Sequence, residues 1–199
     1  MARNQNSTEL DIIIVTWNSR NEIGDCLRSL EPLPDGWRVT VVDNASTDGT
    51  VGLLRENFGW VNVVANKANL GFARANNQVI EQTTSPFVLI LNPDTIATKE
   101  AIQQGIEKMK RLPAVGMLGV KMLNSERVLE PSCQRFPTLF HAFLVSFALY
   151  MILPRSVRSN LLLADFWAHD REQAVDAVAG AFMLARREAI DAAGGIPND

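Results

Sequence analysis

Carboxylate and amide side chains follow four apolar runs of this sequence. The runs lead into "TWNS", "DNASTDG", "NKANLG" and "NPDT", which place Asp43 at the end of an apolar stretch and Asp48 and Asp94 in the polar turns that follow. Carboxylates accept hydrogen bonds from base N–H groups and sugar hydroxyls, and they are the hard oxygen ligands that Mg²⁺ and Mn²⁺ prefer. These residue types suit a sugar nucleotide, whose diphosphate would need a divalent cation beside so many carboxylates.

The same residue types also have a purely structural explanation. Asn, Asp and Ser favour strand-to-helix turns because their side chains bond the local backbone. For Asp48, in "STDGT", a cap role and a ligand role both stay open. Asp43 ends an apolar run and need not be acidic to start a turn, so we favour a functional role. Asp94 follows Pro93 and could be a metal ligand or a turn residue.

The elements that must position these residues alternate along the first 124 residues. Apolar runs rich in β-branched residues predict strands, and apolar positions at helical spacing between them predict helices. The alternation predicts a three-layer α/β/α sandwich with a mostly parallel, Rossmann-like central sheet. In such a sheet ligands bind beyond the carboxyl ends of the strands, so the polar runs should share one rim. The predicted strands are 10–17, 37–43, 61–66, 87–91 and 115–123, and helices are predicted within 18–30, 51–58, 67–83 and 99–112.

After Asn124 the alternation stops. Residues 125–170 are predicted to hold a loop and an apolar segment, 137–154, which contains no Asp, Glu, Lys or Arg. Three interpretations of this segment stay open: a core or lid helix, an interfacial membrane-docking helix, or a true membrane span. A further strand and a short helix are predicted within 175–195, where Gly-Gly is typical of a helix C-cap. No strand or helix follows, which suggests a truncated chain.

Composition and missing motifs exclude several classes of protein. With 47% apolar and 21% charged residues and a net charge of -3, the chain is typical of a globular protein and not of a nucleic-acid binder. The two cysteines, Cys26 and Cys133, form no disulfide scaffold, and residues 1–11 lack the apolar core of a signal peptide, so we expect a cytoplasmic location. Cys26 is interpreted as a small buried hydrophobe.

Motifs for other chemistries are also missing. No dinucleotide or P-loop glycine motif follows any predicted strand, and no GxSxG elbow is present. His141 and His169 have no metal-ligand spacing. A nucleotidyltransferase would need a glycine-rich basic loop where "TWNSRNE" stands.

Four motifs carry a family resemblance. "IIIVTWNS", "VVDNASTDGT", "NLGFARANN" and "LILNPDT" resemble, in order and spacing, the motifs of family-two inverting glycosyltransferases with the GT-A fold. "CQRFPTL" and "VDAVAGAFMLARREA" resemble the rhamnosyltransferase-like branch, which builds bacterial cell-surface polysaccharide. The match runs from Leu10 to Gly195. It implies a single catalytic domain over 1–199, with a nucleotide-sugar-binding half at 10–124 and the start of an acceptor half at 125–199.

The resemblance implies roles for the matching positions. Asp43 would accept a hydrogen bond from N3–H of a uracil or thymine base, and Asp94 would coordinate Mg²⁺ or Mn²⁺. Where the family has a DxD motif this chain reads Asn92-Pro93-Asp94, with one carboxylate instead of two. Asp176 would line the acceptor side. The remaining nucleotide-sugar contacts would be Thr16, Trp17, Asn18, Asn44, Ser46, Asn69, Gly71, Phe72, Ala73, Arg74, Asn76 and Asn92.

The implied reaction is a metal-dependent transfer with inversion from a dTDP- or UDP-linked sugar, with rhamnose as one candidate, to a glycan or lipid-linked acceptor. The family's base lies in an acidic pair after the "GG" turn, so it is unassigned here and expected beyond Asp199. Peripheral contact with the inner face of the cell membrane through 137–154 would fit such an acceptor. The alternative is a truncated, non-catalytic fragment that only binds the nucleotide sugar.

Overall fold

The computed structural model describes residues 8–134, 136, 138–154, 157, 167 and 169–197. The chain divides into two compact units. We call Met1–Leu118 with Gly180–Asp199 the sheet unit, and Gly119–Ala179 the insert. The predicted division into halves at Asn124 stays a prediction.

The described residues contain the following helices and strands. The strands are β1 Leu10–Thr16, β2 Trp37–Asp43, β3 Asn62–Ala65, β4 Phe87–Leu91, β5 Met117–Leu118, β6 Met122–Leu123, β7 Leu129–Glu130, β8 Cys133–Gln134, β9 Ala177–Val178 and β10 Phe182–Arg186. The helices are α1 Ile23–Ser29, α2 Thr50–Asn57, α3 Phe72–Ile80, α4 Lys99–Arg111, α5 Leu139–Ser146 and α6 Arg187–Ala193, with a 3₁₀ helix at Leu149–Ile152.

The sheet unit is built on a six-stranded sheet in the order β3-β2-β1-β4-β10-β5. Strands β1 to β4 run parallel, and β10 runs antiparallel to both β4 and β5. The ends of β1 to β4 agree with the predicted strands to within one residue. Strands β1 and β4 lie in the middle of the sheet and are covered on both faces. Their continuous apolar sequences are typical of strands in this position.

Helices cover both faces of this sheet. On one face, Ala75 and Val79 of α3 and Ile190 of α6 pack with Ile13 and Ile90 in one buried cluster. On the other face α4 lies so close to β10 that a Cβ on Gly105 would come within 2.9 Å of Leu184 Cδ2. The predicted three-layer α/β/α architecture with a mostly parallel sheet is confirmed.

Helix ends follow the local sequence. Thr98 caps α4 by accepting a hydrogen bond from the backbone N–H of Ala101 at 3.2 Å. The predicted strand and short helix near the chain end are β10 and α6, and Gly194 closes α6 in the left-handed region at φ 75°.

The predicted fifth strand, 115–123, is wrong. This stretch forms two separate two-residue strands, β5 in the central sheet and β6 in the insert. Gly119 lies between them, and a glycine weakens a strand because it has no side chain to pack. Since β10 occupies the place beside β4, only Met117 and Leu118 pair with the sheet, and they pair in the antiparallel sense.

The described residues of the insert form short strands and short helices. Strands β6 and β7 form one antiparallel pair, and β8 and β9 form another. The apolar segment contains α5, of eight residues, and the 3₁₀ helix. Within the described parts of the chain, no helix has the length and apolar character needed to cross a membrane. The side chain of His141 lies outside the described residues, as do Arg135, Pro137 and the stretch 158–166.

Candidate functional site

Strands β1 and β2 end side by side. Thr16 and Asp43 are register partners, and the backbone N–H of Asn44 donates to Thr16 O at 2.8 Å. The Asp43 carboxylate is buried; its Oδ2 accepts from the backbone N–H of Ser46 at 2.9 Å. Its Oδ1 has no hydrogen-bond partner among the described residues. One oxygen therefore shapes the loop, and the other is buried without a partner among the described residues.

The loops after β1 and β2 hold each other in place. The backbone N–H of Asn18 donates to Ser46 Oγ at 2.8 Å, and the backbone N–H of Thr47 donates to Asn18 Oδ1 at 2.8 Å. Asn18 and Ala45 both have positive φ, at 54° and 62°. Such conformations cost energy for residues with a side chain and persist where the surroundings enforce them. The predicted site residues Asn18 and Ser46 therefore meet directly, and Trp17 between the strand and this contact is 58% exposed.

Asp48 is a turn residue in this structure. Its Oδ1 accepts from the backbone N–H and the hydroxyl of Thr50, and its Oδ2 accepts from the backbone N–H of Arg20 at 3.0 Å. Partial burial raises the pKa of Asp48, but the hydrogen bonds from Thr50 and Arg20 outweigh it and hold the pKa below its usual value. Asp48 precedes Gly49, the N-cap residue of α2, so its carboxylate is not the cap but holds the turn before α2 and ties it to the loop after β1.

The loop before α3 is fixed by glycine and asparagine. Asn69 Oδ1 accepts from the backbone N–H of Gly71 at 2.9 Å, and Gly71 has φ 80° and ψ 172°, a conformation that is essentially restricted to glycine. Asn44 Nδ2 donates to Gly71 O at 3.2 Å. The loops after β2 and before α3 are thus joined, as the sequence predicted for residues at one rim.

Two further residues of this rim were missed. Asn66 and Gln78 exchange two side-chain hydrogen bonds of 3.0 Å, and Asn66 Nδ2 also donates to Asn44 Oδ1 at 3.1 Å. The sequence offered a signal for Asn66, since it directly follows β3. Gln78 offered none, because a glutamine in a helix is ordinarily solvent-facing.

Helix α3 begins with exposed residues and continues with a buried asparagine. Phe72 and Arg74 are exposed, and Ala73 is half-buried. Arg74 makes no hydrogen bond or ion pair with the part of the chain that the structure describes. Asn76 is fully buried; its Nδ2 donates to Phe72 O at 2.9 Å, while its Oδ1 has no partner among the described residues.

The turn after β4 carries the third acid. The backbone N–H of Asn92 donates to Ala181 O at 3.1 Å, and that of Thr95 donates to Asn92 O at 3.2 Å, which closes a turn around Pro93 and Asp94. The Asp94 carboxylate is exposed and accepts no hydrogen bond from the described residues. Unlike Asp48, it is therefore not used to hold its own turn.

Cys26 lies against this turn. Its Sγ is 3.6 Å from Asn92 O, and the residue is buried. Burial first, and the charge of Asp94 second, raise the pKa of Cys26 to about 12. The interpretation of Cys26 as a buried hydrophobe is confirmed, and both cysteines are free thiols.

The oxygen atoms at the rim fit a metal ion that is held partly by the protein and partly by the phosphates of a bound molecule. No group of three or more His, Cys, Asp or Glu side chains within the described residues could hold a metal ion by itself. Mg²⁺ is commonly held by one or two carboxylates together with waters and substrate phosphates, and the exposed, unbonded carboxylate of Asp94 suits that arrangement.

Three buried polar atoms without partners mark the rim. They are Thr16 Oγ1, Asp43 Oδ1 and Asn76 Oδ1, and a fourth such atom within the described residues, Trp167 Nε1, lies in the insert. Each buried polar atom left unpaired costs about 1–3 kcal/mol, so native proteins leave few of them without a reason. Thr16 and Asp43 end adjacent strands, and Asn76 lies on the helix that packs against those strands.

Asp176 lies in the insert. Its Oδ2 accepts from the backbone N–H of Phe136 at 3.0 Å, so it stabilises the chain beside β8 and β9. Its role on the acceptor side stays a prediction. The catalytic base also stays unassigned among the described residues.

The chain resembles glycosyltransferases in sequence and in structure. It is 26% identical over 202 residues to an N-acetylglucosaminyl-diphospho-decaprenol L-rhamnosyltransferase of Mycobacterium tuberculosis, which covers 94% of this chain and 64% of that protein. It therefore spans less than two thirds of this relative. A mannosyltransferase from Pyrobaculum calidifontis, solved with GDP-Man and Mn²⁺, matches with a TM-score of 0.58 at 23% identity, over 98% of this chain and 49% of that one.

A second solved structure is Staphylococcus aureus TarS 1-349 in complex with UDP-GlcNAc. It matches with a TM-score of 0.53 at 25% identity, over 62% of this chain and 38% of that chain. The predicted GT-A-type fold is thereby confirmed. The model of the family described as glycosyl transferase family 2 matches residues 11–157, more than half of the sequence. The chain belongs to glycosyl transferase family 2.

Proposed function

We propose that the chain binds a dTDP- or UDP-linked sugar at the rim formed by the ends of β1, β2 and β4 and the start of α3. The sugar is then transferred, with inversion, to a glycan or lipid-linked acceptor in cell-surface polysaccharide synthesis. The observation that carries this proposal is the buried Oδ1 of Asp43, which is left without a partner at the end of β2.

The base-binding part rests on hydrogen-bond chemistry. An ionised carboxylate only accepts hydrogen bonds, and uracil and thymine present an N–H donor at N3. A buried acceptor that gains this donor recovers the cost of being unpaired, whereas a base with an acceptor at that position would be repelled. The exposed ring of Trp17 and the fixed loops after β1 and β2 would line the base.

The diphosphate would lie at the start of α3. The first backbone N–H groups of a helix have no acceptor within it, and its amino end carries partial positive charge. Here that end carries Gly71, Phe72, Ala73 and the exposed cation Arg74. Asn69 and Asn76 would support this loop and the ribose side.

Asp94 would hold Mg²⁺ or Mn²⁺, with Asn92 beside it. The cation, when bound, would neutralise charge that develops on the leaving diphosphate. The Mn²⁺ complex of the Pyrobaculum mannosyltransferase supports a divalent cation for this fold.

The transfer itself needs a base. The acceptor hydroxyl oxygen would form a bond to the anomeric carbon while the bond to the diphosphate oxygen breaks, and a carboxylate would take the hydroxyl proton. That carboxylate is unassigned in this chain. Asp176 is proposed to lie on the acceptor side.

A lipid-linked acceptor is supported by the mycobacterial relative, whose name specifies a diphospho-decaprenol. An enzyme that uses such an acceptor would work peripherally at the inner face of the cell membrane.

A second candidate is a fragment that binds the nucleotide sugar without turning it over. It is favoured by one observation: no catalytic base is assigned among the described residues. Binding and catalysis must therefore be measured separately.

Calorimetric titration with UDP, dTDP, GDP and CMP, each with and without Mn²⁺, tests the proposal. We expect UDP or dTDP to bind with the highest affinity, with Mn²⁺ strengthening the binding. CMP binding as tightly as the uracil or thymine nucleotide would overturn the role of Asp43. Release of UDP or dTDP from the corresponding donor sugar in the presence of a lipid-linked glycan would exclude the non-catalytic fragment.

A further inference from the structure

Large apolar side chains of α5 and the 3₁₀ helix are exposed. The least exposed of them, Phe143, still exposes half of its surface, and Leu139 exposes 93%. Soluble proteins rarely expose contiguous apolar patches of this kind unless the patch binds something. We call the following set the apolar surface: Leu139, Phe140, Phe143, Phe147, Met151 and Ile152.

The apolar surface is ordered along one side of the helix. Leu139, Phe143 and Phe147 are spaced at multiples of four residues, and the backbone N–H of Phe147 donates to Phe143 O at 3.1 Å, which continues the helical turn. The rings of Phe143 and Phe147 lie 4.9 Å apart. Leu144, four residues after Phe140, is buried and borders the exposed rings on one side of the helix.

The charge of the sequence segment that contains this surface favours one kind of partner. Between Glu130 and Asp165 the sequence contains three arginines, Arg135, Arg155 and Arg158, and no carboxylate, although the whole chain has a net charge of -3. The arginine side chains lie outside the described residues, and their charge is a fact of the sequence. A purely apolar partner would gain nothing from this positive charge, whereas an anionic phospholipid interface accepts apolar rings below its headgroups and cations among them.

The dimensions favour shallow docking. Eight residues of α5 span about 12 Å, less than half of a bilayer's hydrocarbon core. A short helix with aromatic side chains on its outer side can lie in the plane of the interface without crossing it.

We propose that the apolar surface docks the protein onto an anionic phospholipid bilayer. The biological purpose of this contact rests on the proposed function, because a lipid-linked acceptor would be presented there. The binding itself depends only on the apolar surface and the positive charge of the segment that contains it, so it can be tested apart from donor binding.

Vesicle flotation tests the proposal. The probes are vesicles of phosphatidylcholine alone and of phosphatidylcholine mixed with phosphatidylglycerol, at low and high salt. We expect flotation with the mixed vesicles that weakens at high salt. The triple substitution Phe140→Ser, Phe143→Ser and Phe147→Ser should lower the partition coefficient by about tenfold or more, because each ring loses its burial in the interface.

A matched control removes exposed apolar side chains elsewhere. Leu112→Ser, Leu123→Ser and Val128→Ser change three exposed residues outside the apolar surface and should leave flotation unchanged. Circular dichroism and calorimetric binding of the nucleotide that binds the wild type should be the same for both triple variants. If the wild type floats with the vesicles but binds none of the nucleotides, the result would contradict the proposed function and leave the membrane proposal standing.

Three outcomes would overturn the proposal. They are no flotation of the wild type, flotation of the phenylalanine variant at the wild-type level, and a wild-type dimer in light scattering that the phenylalanine variant abolishes while vesicles bind neither protein. The last outcome would assign the surface to a second copy of the chain.

Discussion

The rim of the sheet unit and the apolar surface of the insert differ in how their side chains are held. At the rim, side-chain oxygens of Asn18, Asp43, Ser46 and Asp48 accept backbone hydrogen bonds, so the loops are fixed although three buried polar atoms have no partner among the described residues. In the apolar surface the rings and aliphatic chains are exposed, and the strands described in the same unit are only two residues long. The rim is preorganised, whereas the insert exposes the groups that need a partner.

A second contrast lies within the rim. Asp43 and Asp48 flank the same loop, yet Asp48 uses both oxygens in local hydrogen bonds and Asp43 uses one. Asp94 uses neither with the described residues. The number of oxygens left unpaired, and not the residue type, separates candidate ligand contacts from turn residues.

Substitution of Asp43 should have the largest effect on binding. Asp43→Ala would remove the proposed charged hydrogen bond to the base, a type of bond that contributes about 1.5–3 kcal/mol, so the affinity for UDP or dTDP should fall roughly tenfold to a hundredfold. The loss should be the same with and without Mn²⁺, because the base does not contact the cation. Isothermal titration calorimetry measures both conditions.

Two variants control this test. Asp43→Asn keeps one acceptor oxygen and should lose less affinity, and Asp25→Ala, at an exposed acid paired with Arg28, should lose none. Wild-type affinity in Asp43→Ala would rule out the base contact.

Substitution of Asp94 should have a smaller and conditional effect. Asp94→Ala should remove the gain in affinity that Mn²⁺ provides, about tenfold, and leave the metal-free affinity unchanged. Because its carboxylate holds no described part of the turn, the melting temperature should stay within about 2 °C of the wild type. Titrations with and without Mn²⁺, together with thermal melts, measure these quantities. An unchanged Mn²⁺ effect would argue against Asp94 as a ligand.

The sequence predicted the rim well because local rules govern it. Continuous apolar runs rich in β-branched residues identified β1 to β4. The carboxyl ends of parallel strands share one edge of the sheet, so Asp43 and Thr16 could be placed at the same rim. The sequence did not reveal which oxygens would stay unpaired, because that depends on contacts such as Asn18 with Ser46, which lie 28 residues apart.

The insert was predicted less well. The run 115–123 has the composition of a strand, yet pairing partners from the far end of the chain decide how much of it joins the sheet. For 137–154 the sequence left a core helix, an interfacial helix and a span open. Composition alone cannot choose between them, since the choice depends on which side chains the rest of the protein covers.

Substitution of Asp48 should affect stability. Asp48→Ala removes the hydrogen bonds that start α2, and losses of this type cost about 1 kcal/mol in the free energy of unfolding. Because the pKa of Asp48 is lowered in the folded state, this stabilisation is present above its unfolded pKa and is lost as the pH falls through the folded value. The difference between wild type and Asp48→Asn in urea unfolding should therefore be constant near neutral pH and shrink in acid. A difference that grows in acid would contradict the structure.

The smallest effect is expected for the labelling of the two thiols. This experiment compares how readily the rim and the insert open in the wild-type protein. Both are buried and burial raises the pKa of each, so iodoacetamide should react only when the surrounding structure opens. Cys26 lies in α1 of the sheet unit, against the turn after β4, whereas Cys133 belongs to a two-residue strand of the insert. Local opening requires less free energy where few contacts are broken, so Cys133 should be labelled before Cys26. Mass spectrometry of the labelled peptides over time measures the order, with Cys26→Ala and Cys133→Ala as single-thiol controls. Faster labelling of Cys26 would show that the rim opens more readily than the insert, and the contrast between a preorganised rim and a looser insert would then be wrong.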